Sequence, residues 1–198
     1  MKTAPIVEAW EQREQPVDET EFTPWAKAGW QSWNGQSPEI DVCAFVQSLV
    51  VMMQPKLILE TGVGQGYMTR AITAVLDDHQ LLISYESDDY WRAALWSLPF
   101  WTDNRFTTQL SQNLTPLEGD IARADLCVFD SDFEVRFAEI QWWHDFAKPG
   151  AVALIHDTAD APDTIHQSTR ELIEDLGMTG VFLNNPRGCF MAVQPREA

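Results

Sequence analysis

Leu59-Glu60-Thr61-Gly62-Val63-Gly64-Gln65-Gly66 is the run of this chain best suited to chemistry. Its three alternating glycines follow an apolar stretch and precede a helical pattern. Glycines there let the backbone approach a ligand closely, and the helix start offers free N–H groups. The spacing departs from the dinucleotide fingerprint G-x-G-x-x-G, because the third glycine comes one residue early and residue 67 is Tyr. Glu60 would repel a pyrophosphate; it suits a ligand that presents an ammonium group and a ribose. Glu86 falls 20 residues after Gly66, at the end of the next apolar run. A carboxylate at that point can accept both ribose hydroxyls. The plainer alternative for Glu86 is a solvated strand-end acid in a chain with 30 of them.

Asp130 and Asp157 form a second group. Each follows an apolar run, and they are 27 residues apart. Ligands of an open α/β sheet lie beyond the carboxyl ends of its strands, so both acids are candidates to face one ligand or ion. His156 is the histidine best placed as a general base, with Asp157 able to hold its tautomer. The alternative is a structural histidine bonded to backbone. His144, beside Trp142 and Trp143, reads as surface or packing, and His79 and His166 receive no role.

These residues need elements to hold them. Ser37-Pro38-Glu39 reads as a helix start, with Ser37 as N-cap, and apolar residues from Ile40 to Met53 follow up to Pro55. Leu57-Ile58-Leu59 is a short all-apolar run, as a strand covered on both faces should be, and further strands are expected at 81–85, 124–129 and 151–155, with a weaker one at 105–110. Helical spacing is expected after Gly66, after Ser87 with Trp91, Leu95 and Trp96, from Phe133 through Phe137 and Ile140 to Ala147, and from Pro162-Asp163 to Gly177. Val181–Leu183 and Cys189–Val193 flank Asn184-Asn185-Pro186-Arg187-Gly188, a hairpin loop. Strand and helix alternating in this way imply an α/β fold, a doubly wound and mostly parallel sheet with a C-terminal antiparallel hairpin strand. Residues 1–36 form a Trp-rich N-terminal extension or lid, and residues 37–198 form the main domain.

Composition limits the function. The chain has 198 residues and a net charge of −17, which opposes binding to nucleic acid or to an anionic membrane surface. Its 45% hydrophobic content is that of a folded domain rather than an acidic tail. No apolar run is long enough to span a bilayer, and none near Met1 resembles a signal peptide. Three widely spaced cysteines without a CxxC read as free thiols of a cytoplasmic protein.

With these residues in register, the chain resembles the class I S-adenosylmethionine-dependent methyltransferases over roughly residues 38–193. The resemblance rests on Glu60-x-Gly62-x-Gly64-x-Gly66, on Glu86, and on the strand Asp125-Leu126-Cys127-Val128-Phe129-Asp130. It implies a Rossmann-like seven-stranded fold and makes residues 37–198 the cofactor-binding domain. By resemblance, Gly62, Gly64 and Gly66 hold the methionine part, Glu60 lies near its amino end, Glu86 takes the ribose, and the segment with Asn113 meets the adenine; Asp130 borders the cofactor as well. The stretches Val128–Phe133 and Lys148–Thr158 look like small-molecule O-methyltransferases of the methyltransferase-24-like group and, more distantly, of the catechol type. In the latter, two strand-end acids and an Asn hold Mg²⁺ or another divalent cation; Asp130 and Asp157 match the acids. Thr158 replaces the Asn, and Phe133 stands where a Lys or His base is expected.

The implied activity is methyl transfer to a small-molecule acceptor, most simply a hydroxyl oxygen. Transfer to nitrogen or to a protein side chain is the nearer alternative. A catalytically silent cofactor-binding sensor or assembly protein is a rival of another class, and a nicotinamide-dependent oxidoreductase is opposed by the glycine spacing. Trp25, Trp30, Trp33, Trp91, Trp96 and Trp101 could form an acceptor pocket or a cation–π cover for the sulfonium. Core or homodimer packing is the other reading of these rings.

Overall fold

The apolar runs become the strands of a single sheet in a computed structural model, which describes residues 16–23, 29–35, 37–88, 91, 106–109, 115–161 and 163–196. In chain order the elements are β1 (Val17–Asp18), β2 (Gln31–Ser32), α1 (Ile40–Met53), β3 (Leu57–Thr61), α2 (Tyr67–Thr73), β4 (Leu81–Tyr85) and β5 (Phe106–Gln109). They continue with α3 (Thr115–Arg123), β6 (Leu126–Phe129), α4 (Phe133–Phe146), β7 (Val152–His156), α5 (Thr164–Asp175), β8 (Gly180–Leu183) and β9 (Cys189–Val193). Seven strands form the sheet in the order β5-β4-β3-β6-β7-β9-β8, while β1 and β2 pair as a separate antiparallel ribbon. The strands from β5 to β7 run parallel, and β9 is antiparallel to both of its neighbours. This is the expected fold class, terminal hairpin included.

Strand side chains alternate between faces, so each central strand feeds two cores. On one face Ile58, Leu82, Leu126, Val128 and Leu154 pack with Val42, Val46 and Val50 of α1 and with Met68, Ala71 and Ile72 of α2. On the other, Leu59, Ile83, Cys127, Phe129 and Ile155 pack with Leu117 and Ile121 of α3, Ile140 and Trp143 of α4, and Ile173 of α5. All three cysteines are buried and unpaired. Among the described residues, no helix is long and apolar enough to cross a membrane.

Three local readings change. Helix α1 starts at Ile40 with Glu39, not Ser37, at its N-cap position. The Ser37 hydroxyl is occupied instead, accepting from the N–H groups of Trp33 and Asn34 at 3.0 and 3.1 Å. Helix α3 is not among the expected elements, because only Leu117 and Ile121 mark its buried face in so short a segment; contact with the sheet, not propensity, sustains it. On α4, the buried stripe is Arg136, Glu139, Ile140 and Trp143, whereas Phe133 is 39% exposed and packs on Phe137 with ring centroids 4.8 Å apart. Two charged residues thus lie on the face that an apolar count assigns to the core. Of the helix expected after Ser87, Leu95 and Trp96 lie outside the described residues.

Register sets the site. Tyr85, Thr61, Phe129 and Ile155 are neighbours across β4, β3, β6 and β7. The next residue on each strand therefore forms a row along the carboxyl edge: Glu86, Gly62, Asp130 and His156. Gly62 must be glycine for two reasons. Its φ is +74°, and a Cβ there would lie 2.0 Å from the Asp130 carbonyl oxygen. Gly62→Ala should lower unfolding stability by about 2–5 kcal/mol, combining left-handed strain with overpacking. Urea denaturation checks this; a loss of under about 1 kcal/mol would show that the two strand ends can separate freely.

Candidate active site

The turn from β3 into α2 is built from three left-handed glycines, Gly62, Gly64 and Gly66, and Gly66 caps α2. Glu86, following β4, reaches across to this turn. One of its oxygens accepts from the Gly64 N–H at 2.8 Å and the other from the Asp88 N–H at 2.9 Å. A carboxylate has about four lone-pair sites, so Glu86 orders the loop and retains acceptor capacity toward the cavity it lines. Glu60 behaves differently. It is 1% exposed beneath the loop, where it accepts from the hydroxyls of Thr69 and Ser84, and it does not line the cavity. Burial pushes its carboxyl up to about 7, partly offset by those hydrogen bonds. The expected contact of Glu60 with a ligand is thus replaced by support of the loop from below. Gly66 also turns away from the cavity wall, which Gly62 and Gly64 do line. Asn113 lies outside the described residues.

Asp130 and Asp157 meet as expected, but in company that the sequence did not suggest. His156 is buried between them and Glu39. Its Nδ1 lies 2.9 Å from Asp130 Oδ1 and 3.3 Å from Asp157 Oδ1, and its Nε2 lies 2.7 Å from Glu39 Oε2. Burial alone would lower the pKa of this imidazole; the three carboxylates overcome that and raise it well above the usual histidine value. An imidazolium has no lone pair for a proton, so this arrangement opposes the role of general base and makes His156 a counter-charge. Glu39 shows the reciprocal effect. Against the upward push of burial, His156 and hydrogen bonds from Arg187 N–H and the Asn185 amide bring it down to about 2.

The other counter-charge is Arg136 on α4. Its Nη1 donates to Asp157 Oδ2 at 3.1 Å and approaches the His156 carbonyl at 3.3 Å. Its Nη2 donates to the Ser131 carbonyl at 2.5 Å and lies 3.5 Å from Asp130 Oδ1. Burial opposes the charge on Asp157, yet His156 and Arg136 together hold that carboxyl far below the ordinary range. Asp157 also adopts a left-handed φ of 56°, a strained conformation of the kind found at functional sites. Arg187, from the β8–β9 loop, closes this side through a 2.8 Å ion pair with buried Glu19.

The implied metal can be tested against these residues. Asp130, His156 and Asp157 bring one ligand atom each within 4.8 Å of one another, a spacing a shared ion would require. The donors nevertheless do not fit a divalent cation. The guanidinium of Arg136 bridges the two carboxylates, and both ring nitrogens of His156 are directed at acids. Thr158, in the position of the third ligand, is buried and lies outside the cavity wall. Phe133 does not reach that wall either.

One cavity of about 290 Å³ unites the site. Gly62, Gly64, Glu86 and Trp91 line one part, and Asp130, Asp157, Arg136 and Arg187 another, with Glu139 set into the wall beside Ser131. Carboxyl groups outnumber guanidiniums in its lining, with Glu86, Asp130, Asp132, Asp157 and the fully buried Glu139 against Arg136 and Arg187. The N-terminal segment takes part: Gly35 and Pro38 line the cavity, Trp33 stacks on Tyr67 at 5.9 Å, and Asn34 donates to Gln65 of the glycine turn at 2.8 Å. Of the other tryptophans considered, Trp25, Trp96 and Trp101 lie outside the described residues.

No protein-family profile and no curated protein matches the sequence. Solved structures do match the fold. The SAH-bound methyltransferase PaMTH1 of Podospora anserina aligns with a TM-score of 0.69 and 13% identity, over 94% of this chain and 92% of its own. The O-methyltransferase TomG of Streptomyces achromogenes, in complex with SAM, aligns at 0.65 and 16% identity over 82% and 83%. The O-methyltransferase of Bacillus cereus, in complex with SAH, aligns at 0.64 and 19% identity over 81% and 84%. The fold is therefore the Rossmann-like fold of these methyltransferases.

The buried acids predict an unusual pH profile. Burial raises both Glu60 and Glu139 from about 4.5 to about 7, so the folded protein holds these protons more tightly than the unfolded chain. Their contribution is complete below about pH 4.5 and is lost as pH rises to about 7, on the order of 3 kcal/mol each. His156 acts in the same direction above its unfolded value, whereas Glu39 contributes fully above about 4.5 and loses this only toward about 2. The urea midpoint should therefore be higher at about pH 5 than at about pH 7.5, and Glu60→Gln should flatten the difference. A midpoint that rises toward neutral pH would contradict this account.

Proposed function

We propose that the chain is an S-adenosylmethionine-dependent methyltransferase that methylates a small-molecule acceptor at a hydroxyl oxygen. The observation that carries this reading is the strand-end row Glu86, Gly62, Asp130, drawn around one acidic cavity by the sheet register. S-Adenosylmethionine would supply an electrophilic methyl group on a positively charged sulfonium, which suits a carboxyl-rich lining that includes Glu86 and Asp132. The backbone at Gly62 and Gly64 lets a ligand approach the turn closely. Glu86, already oriented by the Gly64 and Asp88 N–H groups, accepts ribose hydroxyls. Tyr67 and Trp91 add aromatic wall. Asp157, Arg136 and Arg187 border the acceptor part, where alignment of acceptor with donor is the main contribution a protein makes to a direct displacement. Two of the fold neighbours, TomG with SAM and the Bacillus cereus protein with SAH, are O-methyltransferases, which supports oxygen as the accepting atom. Buried unpaired thiols support a reducing, cytoplasmic setting.

S-Adenosylhomocysteine should raise the melting temperature of the protein, and NAD should not. Glu86→Ala should weaken homocysteine-adduct binding by about 1–3 kcal/mol, the loss of charge-assisted hydrogen bonds to ribose. Calorimetry reads both. Turnover of methyl-labelled cofactor with a panel of phenols and other hydroxylated acceptors completes the test. Tight NAD binding without a homocysteine adduct would overturn the reading, and adduct binding with no transfer to any acceptor would favour the sensor alternative.

A further inference from the structure

We propose that Arg136 is the resident counter-cation of the Asp130–Asp157 pair, occupying the role that a divalent ion would otherwise take, so that the acceptor is positioned without metal. The inference deepens the methyltransferase reading and rests on it for the nature of the acceptor.

A divalent ion binds carboxylate oxygens at roughly 2–2.6 Å and needs their lone pairs directed at it. Here one guanidinium reaches both strand ends at once. It contacts the Asp157 carboxylate at 3.1 Å and the Asp130 carboxylate at 3.5 Å, and it donates to the Ser131 and His156 carbonyls beside them. These contacts tie the ends of β6 and β7 together, the structural task of a bridging ion. The planar fork of arginine suits such two-sided bridging and keeps its charge at any working pH. The side chain is 1% exposed on the inner stripe of α4, with Glu139 one turn further along, and its guanidinium is held by four oxygen partners there. An entering dication would meet this fixed positive charge within a few ångströms. Arg136 also lines the cavity, next to Asp157 and Arg187. The acceptor part of the site is accordingly walled by guanidinium groups and suits an acceptor that carries oxygen atoms rich in electron density. Arg136 is a positioning residue in this proposal: it fixes the two carboxylates and does not itself take the acceptor's proton.

The test uses the full chain with S-adenosylhomocysteine and equimolar Mn²⁺, read by the electron paramagnetic resonance of free Mn²⁺ and by melting temperature. The parent protein should leave the free Mn²⁺ signal unchanged and melt identically in Mn²⁺ and in chelator. Arg136→Lys, which keeps a cation, should behave as the parent does. Arg136→Met should bind Mn²⁺ at least about tenfold more tightly, because one of the two cations that contact the carboxylate pair is removed and only His156 remains. Asp157→Asn added to Arg136→Met should abolish that gain. Stoichiometric Mn²⁺ binding by the parent protein, lost in Asp157→Asn, would overturn the proposal. So would a folded Arg136→Met that gains no affinity for Mn²⁺. If Arg136→Met does not fold, the parent and Arg136→Lys arms decide, since a melting temperature raised by Mn²⁺ in either one refutes the proposal. The melting response to S-adenosylhomocysteine is read separately, so failure of the cofactor reading remains distinguishable from failure of this one.

Discussion

Asp130 and Asp157 directly follow adjacent parallel strands, and two acidic side chains so placed repel unless positive charge stands between them. Arg136 and His156 provide that charge, and much of the architecture follows from the need to hold them. Arg136 fixes the rotation of α4, because its guanidinium must reach both strand ends. His156 requires a third acid, which Glu39 supplies from the start of α1. Glu39 in turn accepts from Asn185 and Arg187 of the β8–β9 loop, and Arg187 pairs with Glu19 beside the β1–β2 ribbon. One electrostatic requirement thus connects segments up to 168 residues apart. Networks of this kind add little net stability over apolar packing, but removing one member strands a buried charge, so they enforce a single arrangement.

The same region is where the chain departs from the rules that govern the rest of it. The two cores follow strand alternation, with apolar side chains on both faces and helices covering them. Along the carboxyl edge the rules are broken: Asp157 has a left-handed backbone, Glu60 and Glu139 are buried acids, and charged residues occupy the inner stripe of a helix. Such departures are expected at functional sites, where position and charge matter more than local fit. Glu60 illustrates the exchange. Its carboxyl is buried at a cost in neutral solution, and in return it supports the glycine turn through Thr69 while Ser84 ties it to β4.

The fold relationship to known methyltransferases, at 13–19% identity in the examples above, carries the framework and leaves the chemistry to be argued from the site. On the proposed reading, the glycine turn, Glu86 and Asp130 form the cofactor half and match the pattern of the methyltransferases that the sequence resembles. The acceptor half does not. Thr158 and Phe133 replace side chains expected of metal-assisted O-methyltransferases, and the third departure, Arg136, gives the other two a common cause. With a guanidinium between the acids, a third oxygen ligand has nothing to coordinate.

The sequence by itself determined the sheet, because strands buried on both faces must be continuous apolar runs and such runs are legible without knowing their neighbours. It also determined the glycine turn and the strand-end acids Glu86, Asp130 and Asp157, since register carries each residue following a parallel strand to the same edge. Helix α3 is not read from the sequence for the opposite reason: Leu117 and Ile121 stand at helical i, i+4 spacing, but two core side chains in so short a segment do not tell a helix from a loop, and packing on the sheet decides it. The charge partners were equally hidden. Arg136 and Glu139 read as charges that belong in solvent, although helical spacing puts them on the face of Phe133 and Ile140, and Glu39 reads as a first-turn acid of α1 rather than the partner of a histidine 117 residues away. Which charges meet depends on strand order and helix rotation, and those are decided by packing the whole chain; local spacing fixes neither.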